Sequence, residues 1–232
     1  MKSFLINLKW QFILLQKNKI VSISLVVTLI YGLLLYFLRD VGNLDKVLVA
    51  MVLNDPSVIG FFFIALAVYT EIRHQVLTAI FVSPANIHQI LITKTLSLSI
   101  IGVVCALGLA ISVKGIHFDM VSYMFGALGI CLLSTLLGLI VLTFASEFLK
   151  FVMLSIPIFL FFINIPLFQY LGAIDLGFAA YFFPIQGSVD LIDTSFSEKE
   201  MNIWYSYLSW IVMVPIFYLI AFNLFSKKIT HK

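Results

Sequence analysis

Residues 20–38 read IVSISLVVTLIYGLLLYFL, nineteen positions without one charged side chain. A bilayer core takes about 20 helical residues to cross, so this run is long enough to span it. It is too long for the apolar core of a cleavable signal. Its apolar residues occupy every face, whereas a membrane β-strand would alternate over about ten residues. The run is therefore read as a membrane-spanning helix, and it sets the unit for the rest of the chain.

Five more units of this kind follow, at about residues 44–70, 90–113, 120–145, 148–171 and 204–225. The second is interrupted by Asn54-Asp55-Pro56-Ser57, and the fifth carries Pro157, Asn164 and Pro166. Composition agrees: of 232 residues, 62% are hydrophobic and only 11% charged. Soluble domains carry roughly 25% charged residues, so this chain lacks the polar surface to coat a globule in water. Cys105 and Cys131 both fall inside apolar runs, which suits small buried side chains and argues against a disulfide framework. The expected fold is a single all-α integral membrane domain over residues 1–232, with six transmembrane helices.

Orientation follows from the distribution of Lys and Arg. With the N-terminus inside, Lys2, Lys9, Lys17, Lys19, Arg73, Lys94, Lys150, Lys227, Lys228 and Lys232 lie on the cytoplasmic side, ten in all, against four outside: Arg39, Lys46, Lys114 and Lys199. The outer loops instead carry acids, among them Asp40, Asp45, Asp119 and Asp175. Both chain ends are expected in the cytoplasm. The net charge of +3 reflects this inside bias; a nucleic-acid partner would call for a clustered basic patch.

Three segments are not simple spans. Residues 1–19 repeat Lys2, Lys9 and Gln16 every seven positions, with Leu5, Leu8, Phe12 and Leu15 on another face and Trp10 as an interfacial anchor. The pattern predicts an amphipathic helix lying in the plane of the inner leaflet. In the cytoplasmic stretch 71–89, Ser83-Pro84 reads as an N-cap followed by proline at the first helical position. A helix from there to Val113 would run about 45 Å and project beyond a core about 30 Å thick. The outer segment 172–203 is too long for a structureless loop. Its first part, Ala173 to Val189, is apolar but broken by Asp175, Gly177, Pro184 and Gly187, which suits a re-entrant or interfacial hairpin. Residues 190–200 turn acidic and are expected in water.

Catalytic signatures are missing. The chain has no Gly-x4-Gly-Lys-Ser/Thr loop, no Cys-x-x-Cys, no His-Glu-x-x-His and no Gly-x-Ser-x-Gly. Glu71-x-x-His74 supplies at most two metal ligands, so neither a catalytic nor a metal site is expected. Asp55 is the one acid positioned to fall within the bilayer, where ionisable groups are costly and often functional. Asn54-Asp55-Pro56 also reads as a helix start, with Asp55 the N-cap and Pro56 the first helical residue, and this is the preferred reading. Asp55 and Asn164 are the candidate pathway residues. Gly126, Gly129, Ser134 and Gly138 line one stretch of the fourth span and are expected to permit close helix packing.

The whole arrangement resembles the permease subunits of type-2 ATP-binding-cassette (ABC) exporters, and most closely the bacterial fluoroquinolone-export type. The resemblance rests on Gly60-Phe61-Phe62-Phe63, Glu71-Ile72-Arg73-His74-Gln75, Ser83-Pro84 with Ile90-Leu91-Ile92-Thr93-Lys94, and Phe183-Pro184-Ile185-Gln186-Gly187. One departure is Val76 or Leu77 where a glycine often follows the acidic–basic cluster.

The resemblance implies that Ile72 to Val82 form a coupling helix docking into a separate cytoplasmic ATPase, with Glu71 and Arg73 at its mouth and Leu77, Ile80 and Val82 as contacts. ATP and magnesium would be bound by that partner, since this chain carries no phosphate loop. A second permease chain, identical or sister, would complete the unit in the plasma or inner membrane. The cargo would be a lipophilic small molecule, such as a drug, antibiotic or lipid, moved outward. Competing readings are a haem-export permease of cytochrome c maturation, an ion-coupled carrier or channel, and a membrane scaffold.

Overall fold

The computed structural model describes residues 2–38, 44–74, 86–196 and 203–230. Every long element among them is helical: α1 (Lys2–Lys17), α2 (Ile20–Leu38), α3 (Leu44–Arg73), α4 (Ile87–Lys114), α5 (Met120–Phe144), α6 (Phe148–Leu171), α7 (Gln186–Phe196) and α8 (Ile203–Thr230). Six of these, α2 to α6 and α8, are long and apolar enough to cross a membrane. The charge-free run at residues 20–38 has the same bounds as α2.

Helix α3 corrects the reading of Asn54-Asp55-Pro56 as a helix start. It runs unbroken through Pro56, and Asp55 lies in its middle rather than at a cap. Ending a helix in hydrocarbon would leave several backbone groups unsatisfied, at several kcal/mol each. Keeping a proline inside costs about 3 kcal/mol, so continuity wins. Neighbouring side chains cover the carbonyls around the proline: Ser57 Oγ donates to the Leu53 carbonyl, and Asn54 Nδ2 donates to that of Ala50 at 3.2 Å.

Helix α4 begins at Ile87, with Asn86 as its cap accepting from the His88 N–H at 3.0 Å. The helix start expected at Ser83-Pro84 is therefore displaced to Asn86; Ser83 and Pro84 themselves lie outside the described residues. Helix α6 stays continuous despite Pro157 and Pro166, because a π turn at Leu160–Asn164 absorbs the misfit between them.

Helix α5 is the centre of the bundle: 83% of its span is buried, against 22% for α2 and 11% for α8. Small residues make this possible. A Cβ on Gly138 would stand 2.4 Å from the Phe61 carbonyl oxygen of α3. A Cβ on Gly60 would in turn stand 2.8 Å from the Cys131 carbonyl oxygen of α5. Gly138→Ala is accordingly expected to force α3 and α5 apart and to cost about 1–3 kcal/mol in a detergent melting experiment. Gly108→Ala, whose added methyl would lie 3.4 Å from Thr28 Cγ2, is the control and is expected to stay within about 1 kcal/mol of wild type.

Beyond α6 the chain doubles back. Gly172 closes the helix in the left-handed region, at φ 76°. A 3-10 turn follows at Gly177–Phe182, and the Phe183 ring lies 5.5 Å from that of Phe161. Phe161 is ten residues below Leu171, a descent of about 15 Å. Helix α7 then rises beside α5 until the Ser195 carbonyl accepts from the Asp119 N–H at 3.1 Å.

The expectation that residues 190–200 sit in water fails for their first half. Asp190 and Asp193 lie in α7 and are buried. Each carboxylate has a donor: Gln186 Nε2 to Asp190 Oδ1 at 2.9 Å, and Tyr170 OH to Asp193 Oδ1 at 2.8 Å. Gly126 and Gly129 let α7 approach α5 closely enough that a Cβ on either would meet Ser188 atoms, at 2.8 and 2.4 Å.

Candidate functional site

Besides the buried acids of α7, two places among the described residues gather polar side chains that apolar packing alone does not call for. The first is at the end of the bundle where α1, α3 and α4 meet. Glu71, in the last turn of α3, and Lys94, two turns into α4, are both buried and form an ion pair through Glu71 Oε1 and Lys94 Nζ. Gln11 of α1, also buried, accepts from the same ammonium through Oε1 at 3.4 Å. The second oxygen of Glu71 is buried without a hydrogen-bond partner. One cation therefore holds three helices.

The same contact orients α1. Gln11 and Leu15 turn inward, while Leu5, Ile6, Trp10 and Ile13 are exposed. The helix thus has two apolar sides, one packed on the bundle and one turned away from it. The joint to α2 is a tight turn in which Lys19 adopts φ 60°.

Of the residues expected to meet an ATPase, the structure places Glu71 inside the bundle, paired with Lys94. Ile72, Arg73 and His74 just beyond it are exposed. Leu77, Ile80 and Val82 lie outside the described residues. Close by, the His88 ring stacks on Phe222 of α8 with centroids 3.7 Å apart, and His88 Nδ1 lies 2.9 Å from Tyr218 OH. This fastens the C-terminal part of α8 to the first turn of α4.

The second place is at mid-span. Asp55 is buried on α3, and its Oδ2 accepts from Thr28 Oγ1 of α2 at 3.4 Å. With Val27, Tyr31, Met51, Asn54 and Val58 it lines a cleft of about 310 Å³ between α2 and α3. A further cleft of about 370 Å³ opens on the other side of α2, between it and α4, and includes Thr28, Gly32, Gly108 and Ser112. Asn164, the other candidate pathway residue, sits half-buried in the π turn of α6 and does not line the Asp55 cleft.

The aromatic residues divide. Phe61, Phe62, Phe151 and Phe159 interlock with ring centroids 5.2–6.1 Å apart and fill the space between α3 and α6. Phe37, Phe178 and Phe182 face outward. Among the described residues no three His, Cys, Asp or Glu side chains gather as a metal site.

Sequence reasoning used Lys94 as an orientation charge and within the family resemblance, not as the partner of Glu71, and overlooked Gln11 and Thr28. The signal for Lys94 was present: a basic residue shortly after the start of one apolar run and an acid at the end of the previous run lie at similar depth. Gln11 and Thr28 left no such mark, since single polar residues are common in helices of this kind.

One comparison covers nearly the whole chain: a family model described as the fluoroquinolones export permease protein family matches residues 2–232. No curated protein matches.

Proposed function

Because the chain belongs to the fluoroquinolones export permease protein family, a multi-pass membrane family of export permeases, we propose that it is the membrane-spanning subunit of an ABC exporter. It moves a lipophilic small molecule outward, driven by ATP that a separate cytoplasmic subunit hydrolyses with magnesium. The observation that carries this reading is the match across residues 2–232 in a sequence without a phosphate-binding loop. A second permease chain completes the transporter. The complex sits in the plasma or inner membrane, and the Lys and Arg bias of the loops supports placing both ends of this chain in the cytoplasm.

The geometry supports a division of labour. The inner end is braced by Lys94, Glu71 and Gln11, so a push on the segment following α3 is passed to α1 and α4 together. Segment 71–89 is the coupling element in this reading, and α1 lies in the inner leaflet with Trp10 toward lipid. Residues 172–196 form a re-entrant hairpin in the outer half of the bilayer. ATP binding to the partner favours one of two arrangements of the helices, and the transported molecule gains access to the other side.

The second reading, an ion-coupled carrier, draws on Asp55 at mid-span. Inside-out vesicles from cells co-expressing the chain and its ATPase separate the two. Uptake of a lipophilic fluorescent compound is expected to require ATP, to stop with vanadate and to survive collapse of the proton gradient. Uptake driven by an imposed proton gradient without ATP would replace the exporter with the carrier.

A further inference from the structure

The cleft between α2 and α3 is built around a buried carboxylate that pairs with no cation among the described residues. Asp55 stands eleven residues from the outer end of α3, about 17 Å along the helix, and its partner Thr28 stands eight residues from the inner end of α2, about 12 Å. Both distances put the carboxylate near the middle of a hydrocarbon core about 30 Å thick. Among the described residues the ion pairs are Lys94–Glu71 and Lys114–Asp45, and no Lys, Arg or His pairs with Asp55. The contact it does have, 3.4 Å from Thr28, is at the long end for a hydroxyl donor.

The walls suit a particular guest. Val27, Met51 and Val58 are apolar, Tyr31 adds an aromatic face, and Asn54 adds an amide beside the acid. Tyr31, Val47 and Val58 are the more exposed members of the lining and open the cleft to the outside of the bundle. Helix α2 is also held more loosely than the central helices. A Cβ on Gly32 or Gly108 would meet its nearest neighbour at 3.4 Å, whereas at Gly138 the distance is 2.4 Å. Clefts on both sides of α2 leave it room to shift.

We propose that this cleft is a binding site for a lipophilic cation, an ammonium group on an apolar or aromatic body that enters sideways from the bilayer. Asp55 is its counter-ion, Tyr31 stacks against the charge or the ring, and Asn54 orients the amine. A volume of about 310 Å³ is at the lower end for small-molecule sites, so the charged head is enclosed and the apolar body extends toward lipid. This deepens the exporter reading and rests on it for the direction of transport; binding itself requires no ATPase.

The test is equilibrium binding of radiolabelled benzyltriethylammonium, which carries a permanent charge, to the full chain in lipid nanodiscs. A neutral analogue with carbon in place of nitrogen is the comparison. Saturable binding with at least about a tenfold preference for the cation is expected. Asp55→Asn should weaken it by about tenfold or more, and Asp55→Glu should keep it within about threefold. Val58→Trp, which closes the mouth without touching the acid, should weaken the cation equally and serves if Asp55→Asn does not fold. Equal affinity for cation and neutral analogue, or unchanged binding in folded Asp55→Asn or Val58→Trp, would overturn the site. So would an Asp55→Asn protein that binds the cation normally while the pH dependence of its transport is altered, since the acid would then be a proton carrier. Asp55-dependent binding in a chain that recruits no ATPase would leave the site standing and remove the exporter reading.

Discussion

Lys94→Ala is expected to destabilise the chain by about 3–5 kcal/mol, because it strips the partner from a carboxylate that cannot reach water. Glu71 is only 3% exposed and Lys94 2%. A buried ion pair adds little over a well-packed apolar pair, but removing one member leaves an uncompensated charge inside. Gln11 accepts from the lysine and offers Glu71 no bond of its own. Fluorescence-detected melting in mild detergent would show an early transition for Lys94→Ala. Glu71→Met with Lys94→Met should recover most of the lost stability, as apolar replacement of a buried pair commonly does. The double variant separates structure from coupling: it should fold, yet transport less, because α1 is no longer tied to α3 and α4. A single variant melting within about 1 kcal/mol of wild type would show that the pair does not hold α1, α3 and α4 together.

The second large effect is expected at the segment after α3. Leu77→Asp or Ile80→Asp should reduce ATP-driven transport by about tenfold or more while leaving the amount of chain in the membrane unchanged. These residues lie outside the described part of the structure, and the expectation rests on sequence and setting. Ile72 emerges exposed from α3 beside a braced pair, and Leu77 and Ile80 are three apart on the helix expected to follow it. Apolar residues there suit an apolar groove on a partner; a carboxylate in their place must shed its water on docking, and 1.4 kcal/mol suffices for each tenfold loss of affinity. ATP-driven uptake into inside-out vesicles, normalised to immunodetected chain, reads the effect. Full transport by both variants would remove segment 71–89 from the coupling path.

The spans were legible because hydrocarbon imposes one strong rule, and a run such as residues 20–38 obeys it without exception. Pro56 misled for a local reason. Beside Asn54-Asp55 it has the chemistry of a helix start, but a membrane makes breaking a helix dearer than bending it, and Ser57 and Asn54 cover neighbouring carbonyls. Asp190 and Asp193 were misplaced because acidity was read as exposure. Their donors, Gln186 and Tyr170, lie four and twenty-three residues away, and the latter pairing belongs to the tertiary fold. The start of α4 moved from Ser83 to Asn86 because Asn caps as well as Ser does. The site was legible in part: Asp55 was visible as the one mid-span acid, but its partnership with Thr28 and the cleft beside it arise only when α2 packs against α3 and α4.

The central claim is that this chain works through a separate ATPase held at segment 71–89. The most direct test is purification of the tagged chain in gentle detergent, with mass spectrometry of what accompanies it, for wild type and for a variant with Ile72 to Val82 disrupted. The account predicts an ATPase bearing a phosphate-binding loop, retained by wild type and lost from the variant, while both chains insert equally. Wild-type chain that purifies intact, active in transport and without any such ATPase would contradict it.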